Sequence, residues 1–577
     1  MKKYFVTCDI DEVWPENGEV ISIGNYTPKI SRAKSISYKC PYHWDNFSKL
    51  TSDRLYLNEI YTEYLERFTQ KLNDLHRLSY NNRYWEVLVG AWLKLFIHVF
   101  FDRFQCVIEA ASNYPDAELI RLKKFSSVNY PKDSEEFFRA TSDEVWNERI
   151  TADIFETFTQ IRVMETEINS AQDLYKPFNS TNSPKIIYRV INFFMQKMGS
   201  KTRTVFYTQL PLSRKTIFRL TFRWKSLPIM IKFWEIPLND GILSREKLDF
   251  TEQTNDYFKA ALNSFIVDYI PKSFIEDFMY NHNESQNLRD KYSPKVILSS
   301  TQHQQNDQFK FWVAICLEHG SKLIILQHGG NYGIGEADAF FEYELRICDK
   351  FLTWGWSDPN NEKIAPGYSF QLAKNIDDFK TNRDLRKNCI FILCSLPKRS
   401  YFLGAWPIGP QSHDYHLQQF VFVKNLNSRV KQSLSIRLPP TEPGWELSQR
   451  WKEFDSDIRI GPSSEGFLEV LSGAKIAVCS YNGTSFLQTM KLDIPTIIFL
   501  DPEHWRISQF AYPHMMRLKE AGLFFESAED AANQVNQIWD DAVVWWHSTK
   551  VQDAVLEFLE VFANSDQKAL TNVRRIF

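Results

Sequence analysis

The chain has 577 residues and a formal net charge of −3, with 44% hydrophobic and 15% aromatic residues. This length exceeds what one hydrophobic core usually serves, so at least two domains are expected. The near-neutral charge balance, without a basic stripe, argues against a nucleic-acid-binding protein. The eight cysteines form no CxxC pair and no zinc-type spacing with histidine, so they are typical of buried thiols in a reducing compartment.

The first third of the chain predicts mainly buried helices. Its first residues turn polar by Asp9, too early for a secretory signal, so a cytoplasmic location is expected. From about residue 53 to 116, apolar residues recur at the three- and four-residue spacing of a helix with one buried face. Residues 85–104 predict a buried or interfacial helix rather than a membrane span, because five ionisable side chains would be costly in hydrocarbon: Glu86, Lys94, His98, Asp102 and Arg103.

A basic aromatic segment occupies residues 214–232. It predicts either a solvated helix face or a contact with anionic lipid headgroups or a phosphate-bearing acceptor.

From residue 294 the pattern changes to short apolar strands that alternate with helices. Strands are predicted at 296–298 and 323–326, and a second series follows at 389–394, 434–438, 474–479 and 496–500. This rhythm predicts an α/β protein in which two nucleotide-binding-type domains face each other. The expected division is an acceptor-side domain with a helical elaboration at 1–350, a linker at 351–375 and a nucleotide-sugar domain at 376–577.

The sequence QHGGNYG at 327–333 directly follows the strand at 323–326. Ligands of open α/β sheets lie beyond the carboxyl ends of the strands, where glycines allow close approach to backbone N–H groups. We therefore predict that His328 works at the reacting centre, although it could instead be a core histidine that orients the turn. Six acids are candidate partners for proton transfer: Asp307, Glu336, Asp338, Glu342, Glu344 and Asp349. Asp307 and Glu336 are predicted to be catalytic with His328, and the predicted substrate-binding residues are Gln327, Gly329, Gly330, Tyr332 and Lys310.

The best candidate anion site follows the strand at 477–479. Backbone N–H groups and the positive dipole at a helix start bind phosphate, and hydroxyl side chains add donors. Arg437 ends a parallel strand and would lie beside the same crevice, as would the loop at 461–465. The predicted nucleotide-binding residues are Arg437, Asn482, Gly483, Thr484 and Ser485. The alternatives are an ordinary capped turn and a surface arginine paired with an acid.

Several motifs are missing from the sequence. The sequence has no P-loop, which would support nucleotide hydrolysis. It also has no GxGxxG fingerprint after a strand, which would support dinucleotide redox chemistry. No GxSxG elbow supports a serine hydrolase. Because no metal-ligand pattern stands out either, we expect a metal-independent enzyme with no cofactor beyond a nucleotide-sugar co-substrate.

The combination of several blocks resembles a family of transferases found with bacterial O-antigen and surface-polysaccharide genes. The blocks are residues 83–85, 90–93, 101–104, 307–310, 327–333, 352–356 and 482–487. More remotely, the chain is similar to GT-B glycosyltransferases, including enzymes that transfer Kdo or other ulosonic acids from CMP-activated donors. The resemblance implies a two-domain cleft in which the C-terminal domain holds the nucleotide. Two positions depart from the pattern: Ala91 replaces an expected proline, and Arg437 stands where CMP-sugar enzymes often have a histidine before proline.

The resemblance and the motifs together predict a glycosyltransferase with a nucleotide-sugar donor, which could be CMP-Kdo or another CMP-ulosonic acid. The expected acceptor is a lipid-linked or lipopolysaccharide glycan of O-antigen or capsule, and the inner face of the cytoplasmic membrane is a possible peripheral contact. No nucleic-acid partner is expected. Two alternatives stay open: a polyol-phosphate transferase or nucleotide-sugar epimerase of the same architecture, and a non-catalytic scaffold subunit of polysaccharide assembly.

Overall fold

The computed structural model describes residues 1–123, 130–166, 205–207, 233–234, 245–380, 386–394, 396–399, 403–440, 444–462 and 464–566. The basic aromatic segment at 214–232 lies outside the described residues, as does Ser463 of the loop at 461–465.

Three five-stranded sheets, in which all strand pairs are parallel, organise the described chain. The first sheet has the order β3-β2-β1-β4-β5 and contains β1 Lys3–Val6, β2 Glu19–Ser22, β3 Ile36–Lys39, β4 Glu118–Leu122 and β5 Arg162–Thr166. The second has the order β10-β9-β8-β7-β6 and contains β6 Val205–Tyr207, β7 Val296–Ser299, β8 Lys322–Leu326, β9 Lys350–Thr353 and β10 Ile364–Pro366. The third has the order β12-β11-β13-β14-β15 and contains β11 Asn388–Ile392, β12 Leu434–Arg437, β13 Ala474–Cys479, β14 Thr496–Phe499 and β15 Phe524–Phe525.

Helices connect and cover these strands. Those of the first half are α1 Phe47–His76, α2 Asn82–Asn113, α3 Ser134–Ala140, α4 Glu144–Phe158, α5 Tyr257–Phe265, α6 Phe278–Lys291, α7 Gln302–Gln305, α8 Asp307–Glu318 and α9 Ala339–Ile347. Those of the second half are α10 Phe370–Asp378, α11 Ser412–Asn425, α12 Ser428–Ser433, α13 Leu447–Phe454, α14 Phe467–Ser472, α15 Thr484–Lys491, α16 Tyr512–Glu520, α17 Ala528–Ile538, α18 Ala542–Trp546 and α19 Thr549–Phe562.

The alternation of strands and helices from residue 294 confirms the expected α/β fold. The predicted strands at 296–298, 323–326, 389–394, 434–438, 474–479 and 496–500 correspond to β7, β8, β11, β12, β13 and β14. The third sheet has its own apolar cluster, in which Phe391, Phe422 and Trp451 pack together. The second and third sheets each end in loops that meet across one cleft, which positions the site described below.

The N-terminal region is helical as expected, but it also contains the first parallel sheet. The periodicity of its sequence did not reveal these strands, because they are four or five residues long and two long helices dominate the pattern between them. The predicted linker at 351–375 also needs correction. It contains most of β9, all of β10 and the start of α10, since β9 pairs with β8 inside the second sheet.

Helix α2 is the buried helix that the sequence predicted around residues 85–104. Asn81 caps it by accepting a hydrogen bond from the Tyr84 N–H at 3.0 Å. Its charged side chains find partners: Lys94 Nζ lies 3.0 Å from the Glu342 carboxylate, and Glu86 accepts from the Tyr61 hydroxyl at 3.0 Å. Burying a charged side chain costs less free energy when it is paired and hydrogen-bonded than when it has no partner. No described helix combines the length and the apolar character needed to cross a bilayer.

The last helix returns to the second sheet. Asn564, just beyond α19, donates its N–H to the Trp354 carbonyl at 2.6 Å and accepts from the Ser369 N–H at 2.8 Å. A Cβ at Gly355 would lie 2.6 Å from the Glu560 carbonyl oxygen. The end of the described chain therefore packs against the second sheet and not only against the third.

Candidate active site

Two turns from different sheets meet in direct contact. The turn at 327–333 follows β8, and the turn at 480–485 follows β13. The Gly330 N–H donates to the Thr484 hydroxyl at 3.1 Å. A Cβ at Gly330 would lie 2.6 Å from the Gly483 carbonyl oxygen and 2.8 Å from the Thr484 Cα. Only glycine allows this approach, so the two regions that the sequence predicted to be functional close the cleft together.

A cavity of about 440 Å³ lies beside this contact. We call it the first cavity. Its lining comes from the carboxyl-end loops of the second and third sheets, where ligands of α/β proteins bind. The polar and aromatic lining residues that matter for its chemistry are His328, Asn331, Tyr332, Asp338, Arg399, Trp406, Tyr481, Asn482 and Trp505.

His328 lines the first cavity, and its side chain is 22% exposed. The Tyr332 hydroxyl lies 3.2 Å from His328 Nε2, and the Glu344 carboxylate lies 3.9 Å from Nδ1. Burial lowers the pKa of His328, although the neighbouring Glu344 opposes the shift. At neutral pH the imidazole is therefore uncharged and able to accept a proton or a hydrogen bond.

Glu344 is the centre of a buried polar network behind His328. It is fully buried and accepts hydrogen bonds from Gln304 Nε2 at 2.9 Å and from the Tyr332 hydroxyl at 3.0 Å. His303 Nε2 lies 2.9 Å from the same carboxylate. Burial raises the pKa of Glu344 to about 7. Because it is enclosed, Glu344 positions Tyr332 and His328 rather than touching a substrate.

Asp338 is the half-buried acid that lines the cavity. One carboxylate oxygen caps α9 by accepting from the Phe340 and Phe341 N–H groups at 2.9 and 3.2 Å, and the other accepts from Asn331 Nδ2 at 3.0 Å. Burial, with the charge of Glu344, raises the pKa of Asp338 to about 7. A carboxyl group with this pKa suits general acid–base work at neutral pH.

Asp307 and Lys310 lie elsewhere, and their predicted catalytic and substrate-binding roles need correction. The Lys310 ammonium lies 2.7 Å from the Asp307 carboxylate, and both side chains are fully buried. Asp307 also accepts from the Ser134 N–H at 3.0 Å and from the Ser273 hydroxyl at 2.5 Å. Neither residue lines the first cavity. The pair fixes the start of α8 against α3, which is a structural role.

Glu336 also lies outside the first cavity. Its carboxylate pairs with Arg506 at 3.1 Å and its side chain is 44% exposed. It lines a second cavity of about 380 Å³. The structure therefore does not place Glu336 beside His328.

Arg437 supports a loop. Its guanidinium donates to the Pro462 carbonyl at 2.5 Å and to the Glu465 carbonyl at 2.8 Å. Arg437 is 8% exposed and does not line the first cavity. Both hydrogen bonds would have to break before Arg437 could bind a phosphate. Arg437 therefore supports the loop, and its predicted nucleotide contact needs correction.

The turn after β13 keeps one acceptor available. The Thr484 hydroxyl accepts from Gly330, and the Ser485 hydroxyl is hydrogen-bonded to the Tyr481 hydroxyl. Asn482 is 8% exposed, and its carbonyl oxygen Oδ1 has no hydrogen-bond partner among the described residues. A buried polar atom without a partner is costly. Since Asn482 lines the cavity, Oδ1 is suited to accept a hydrogen bond from a ligand.

Gln327 and Gly329 shape the turn that carries His328. The Gln327 side chain donates to the Gly329 carbonyl at 2.8 Å and accepts from the Trp354 N–H at 2.8 Å and from Trp356 Nε1 at 2.9 Å. A Cβ at Gly329 would lie 2.5 Å from Asn331 Oδ1. Both residues are thus needed for the turn, whereas Tyr332 reaches the cavity.

Several lining residues were not anticipated, and Arg399 and Trp406 are the most important. They belong to the segment after β11, which carries no recognisable motif. The available signal was positional: like the two glycine turns, this segment follows the carboxyl end of a parallel strand. Arg399 donates to the Glu144 carboxylate at 2.7 Å and to the Thr7 carbonyl, so the first sheet also holds this loop.

One group of three potential metal ligands occurs among the described residues. His43, Asp102 and Cys106 offer ligand atoms within 4.8 Å of one another. However, Arg103 already pairs with the Asp102 carboxylate, and the Tyr42 hydroxyl donates to it at 2.7 Å. The negative charge of Asp102, which a metal cation would need, is therefore already balanced by protein groups.

The comparison with protein families points to a transferase. The model of one family, described as LIC12162 family transferase, matches residues 3–577. Among solved structures, a glycosyltransferase from Rickettsia africae ESF-5 is 13% identical, covering 67% of this chain and 92% of its own, with a TM-score of 0.33. MurG from Acinetobacter baumannii is 9% identical, covering 69% and 97%, with a TM-score of 0.31. A UDP-GlcNAc 2-epimerase from Neisseria meningitidis is 10% identical, covering 65% and 97%, with a TM-score of 0.35. These structural likenesses are weak. No curated protein matches the sequence.

Proposed function

Because the chain belongs to the LIC12162 family of transferases, we propose that it is a glycosyltransferase that moves a sugar from a nucleotide donor to a glycan acceptor. The observation that carries this proposal is the cavity of about 440 Å³ beside the contact of Gly330 with Thr484. That cavity contains the imidazole of His328, the carboxyl group of Asp338 with its pKa of about 7, the guanidinium of Arg399 and the amide oxygen of Asn482. Group transfer between two polar substrates requires such a set.

The donor is proposed to lie with its phosphate on the side of the third sheet. Arg399 lines the first cavity and its side chain is 10% exposed. Its Nη2 is held by Glu144 and Thr7, but its Nε–H has no partner among the described residues and could donate to a phosphate. Helix α15 starts at Thr484 without a side-chain cap, and the N-terminus of a helix favours an anion. Asn482 Oδ1 would accept a hydrogen bond from a hydroxyl or amine of the donor.

The proposed step is a displacement at the anomeric carbon of the donor. The acceptor oxygen forms a bond to this carbon while the bond from the carbon to the donor phosphate oxygen breaks. The electron pair of the broken bond leaves with the nucleotide, and the proton of the acceptor hydroxyl passes to the Asp338 carboxylate. His328, uncharged and oriented by Tyr332 and Glu344, would hydrogen-bond the reacting sugar.

The finer proposal is a CMP-linked ulosonic acid as donor and a lipid-linked or lipopolysaccharide glycan as acceptor, at the inner face of the cytoplasmic membrane. It is supported by the resemblance of the sequence blocks. Two other reactions use related substrates, namely transfer of a polyol phosphate and epimerisation of a nucleotide sugar. Analysis of the products distinguishes all three, and a scaffold subunit would form no product.

Thermal denaturation in the presence of CMP, UDP, GDP, CDP and dTDP tests the nucleotide site. A ligand at a hundred times its Kd adds about 2.7 kcal/mol to the free energy of unfolding. One of these nucleotides should stabilise the wild type, and Asn482→Ala should lose most of that gain. Asn375→Ala is the matched control, because Asn375 is 5% exposed and lines neither cavity. No stabilisation by any nucleotide contradicts the glycosyltransferase and favours the scaffold.

A further inference from the structure

The second cavity adjoins the first. It has a volume of about 380 Å³ and shares part of its lining with the first cavity. Five residues line both cavities: Asn331, Tyr332, Asp338, Trp406 and Asn482. A molecule in the second cavity can therefore reach the same side chains as a donor in the first. The proton-accepting group proposed for the transfer step, the Asp338 carboxylate, lies where the two cavities meet.

Aromatic rings form one wall of the second cavity. Phe341 and Trp356 lie edge to face, with ring centroids 5.9 Å apart, and the Phe510 ring follows at 6.3 Å from Trp356. Phe510 lines this cavity and is 43% exposed, so part of its ring is accessible to a ligand. Aromatic rings combine a broad apolar face with a defined geometry. An exposed ring at a cavity mouth offers the flat apolar surface on which the C–H face of a sugar ring packs.

The charges of the second cavity differ from those of the first. Among the described residues that line it, Glu336, Asp338, Glu342 and Asp358 are acidic, and Arg54 is the basic one. Arg54 pairs with the Glu342 carboxylate at 2.8 Å. Glu342 also pairs with Lys94, and Glu336 pairs with Arg506. These pairs leave no excess positive charge in the lining that would attract a phosphate or a carboxylate. By contrast, carboxylate oxygens accept hydrogen bonds from sugar hydroxyl or ammonium groups.

An unsatisfied acceptor points to a ligand at the junction. Asn482 is 8% exposed, its Oδ1 has no partner in the part of the chain that the structure describes, and it lines both cavities. The Asn482 Nδ2 atom lies 3.5 Å from the position of a Cβ on Gly335, so the amide is packed between the two spaces. Natural proteins rarely leave a buried carbonyl oxygen without a hydrogen bond.

We infer that the second cavity binds the acceptor, as a neutral or amino-bearing carbohydrate that stacks on Phe510 and presents its hydroxyl to Asp338. This inference rests on the proposed function only for the identity of the partner substrate in the first cavity. The carbohydrate site itself stands on the aromatic wall, the acidic lining and the unpartnered amide oxygen.

Binding of three trisaccharides of different charge tests the inference. The probes are the trimers of N-acetylglucosamine (neutral), glucosamine (amino-bearing) and galacturonic acid (acidic). Their binding to the full chain is measured by saturation-transfer NMR. We expect the neutral or the amino-bearing trimer to bind at least roughly tenfold more tightly than the acidic one. Phe510→Ala should weaken that binding by roughly tenfold, which is the scale of one lost aromatic contact.

Tyr512→Ala is the matched control. Tyr512 is an exposed aromatic residue of the same segment, at 53% exposure, but it does not line the cavity. Equal weakening by both variants, tightest binding of the acidic trimer, or no binding of any trimer to the wild type overturns the inference. Nucleotide stabilisation is measured on the same samples. If the trimers bind as expected while no nucleotide stabilises the protein, the proposed function fails and the carbohydrate site remains.

Discussion

The backbone N–H of Gly330 donates to the hydroxyl of Thr484 at 3.1 Å, and these residues follow strands of two different sheets. The turn that carries His328 and the turn that carries Asn482 are therefore fixed relative to each other by a hydrogen bond from backbone to side chain. Such a contact transmits any displacement of one turn to the other, because packed interfaces deform little. The geometry of the first cavity depends on this contact.

Gly330→Ala should disrupt both folding stability and nucleotide binding. The added Cβ would lie 2.6 Å from the Gly483 carbonyl oxygen, so the two turns must separate. Overpacking of this kind costs about 1–3 kcal/mol, and the nucleotide that stabilises the wild type should stabilise the variant much less. Thermal denaturation with and without that nucleotide measures both effects.

Gly466→Ala serves as the control for this substitution. A Cβ there would meet nothing closer than the Glu469 carboxylate at 3.8 Å, and the backbone φ of −62° suits alanine. If Gly330→Ala behaves like Gly466→Ala in both measurements, the contact between the turns does not fix the cavity.

Asp338→Asn should separate proton transfer from structure. Asparagine can still cap α9 through its side-chain oxygen, and its NH2 can keep the contact with Asn331 once that amide turns its own oxygen toward it. It cannot take the proton of the acceptor. We expect kcat to fall at least about a hundredfold while nucleotide stabilisation persists. In the wild type, kcat should rise with pH up to about pH 7, where the raised pKa of Asp338 lies, because the carboxylate is the active form. This pH-dependent rise should be lost in the variant.

Asp143→Asn is the control for the capping function. Asp143 caps α4 by accepting from the Trp146 N–H at 2.9 Å and lines neither cavity. If Asp338→Asn retains the wild-type kcat, or if both variants lose activity equally, Asp338 is not the proton acceptor.

Glu344→Gln should change how stability depends on pH. Burial raises the pKa of Glu344 from an ordinary value of 4.5 to about 7. Between these values the folded protein holds a proton that the unfolded chain has lost, so this group makes stability fall as pH rises through the window. Glutamine carries no such proton. The variant should therefore gain stability relative to wild type between pH 5 and pH 8, by on the order of 3 kcal/mol at most.

Urea unfolding of both proteins at pH 5 and pH 8 measures this difference. If wild type and Glu344→Gln differ in stability by the same amount at both pH values, Glu344 is not buried with a raised pKa.

The sequence predicted the parts of the site whose function depends on local backbone. The glycines of residues 327–333 and the turn at 482–485 mark close approach and a helix start, and both are visible as residue types after an apolar run. The partners of His328 were harder to predict. Asp307, Glu336 and Asp338 look alike in the sequence, and only packing encloses Asp307 with Lys310, pairs Glu336 with Arg506 and leaves Asp338 at the cavity.

The same reason explains the assignment of Arg437 and the unexpected first sheet. An arginine at a strand end can grip a phosphate or hold a loop, and the carbonyls of Pro462 and Glu465 that decide the matter are 25 and 28 residues away. The strands of the first sheet are too short for their two-residue period to stand out. Their pairing links segments separated by as many as 114 residues, such as Tyr4 with Glu118, and a local sequence pattern does not record such pairs.

The central claim is tested most directly by following nucleotide sugars during incubation with the wild type and with His328→Ala. CMP-, UDP-, GDP- and dTDP-activated sugars are offered together with a neutral trisaccharide, and mass spectrometry records all products. The account predicts that one donor releases its nucleotide, that the trisaccharide gains the mass of one sugar, and that His328→Ala slows this at least about a hundredfold. His319→Ala, an exposed histidine, should retain the wild-type rate. Conversion of a donor into an isomer, or no consumption of any donor, would contradict glycosyl transfer by this protein.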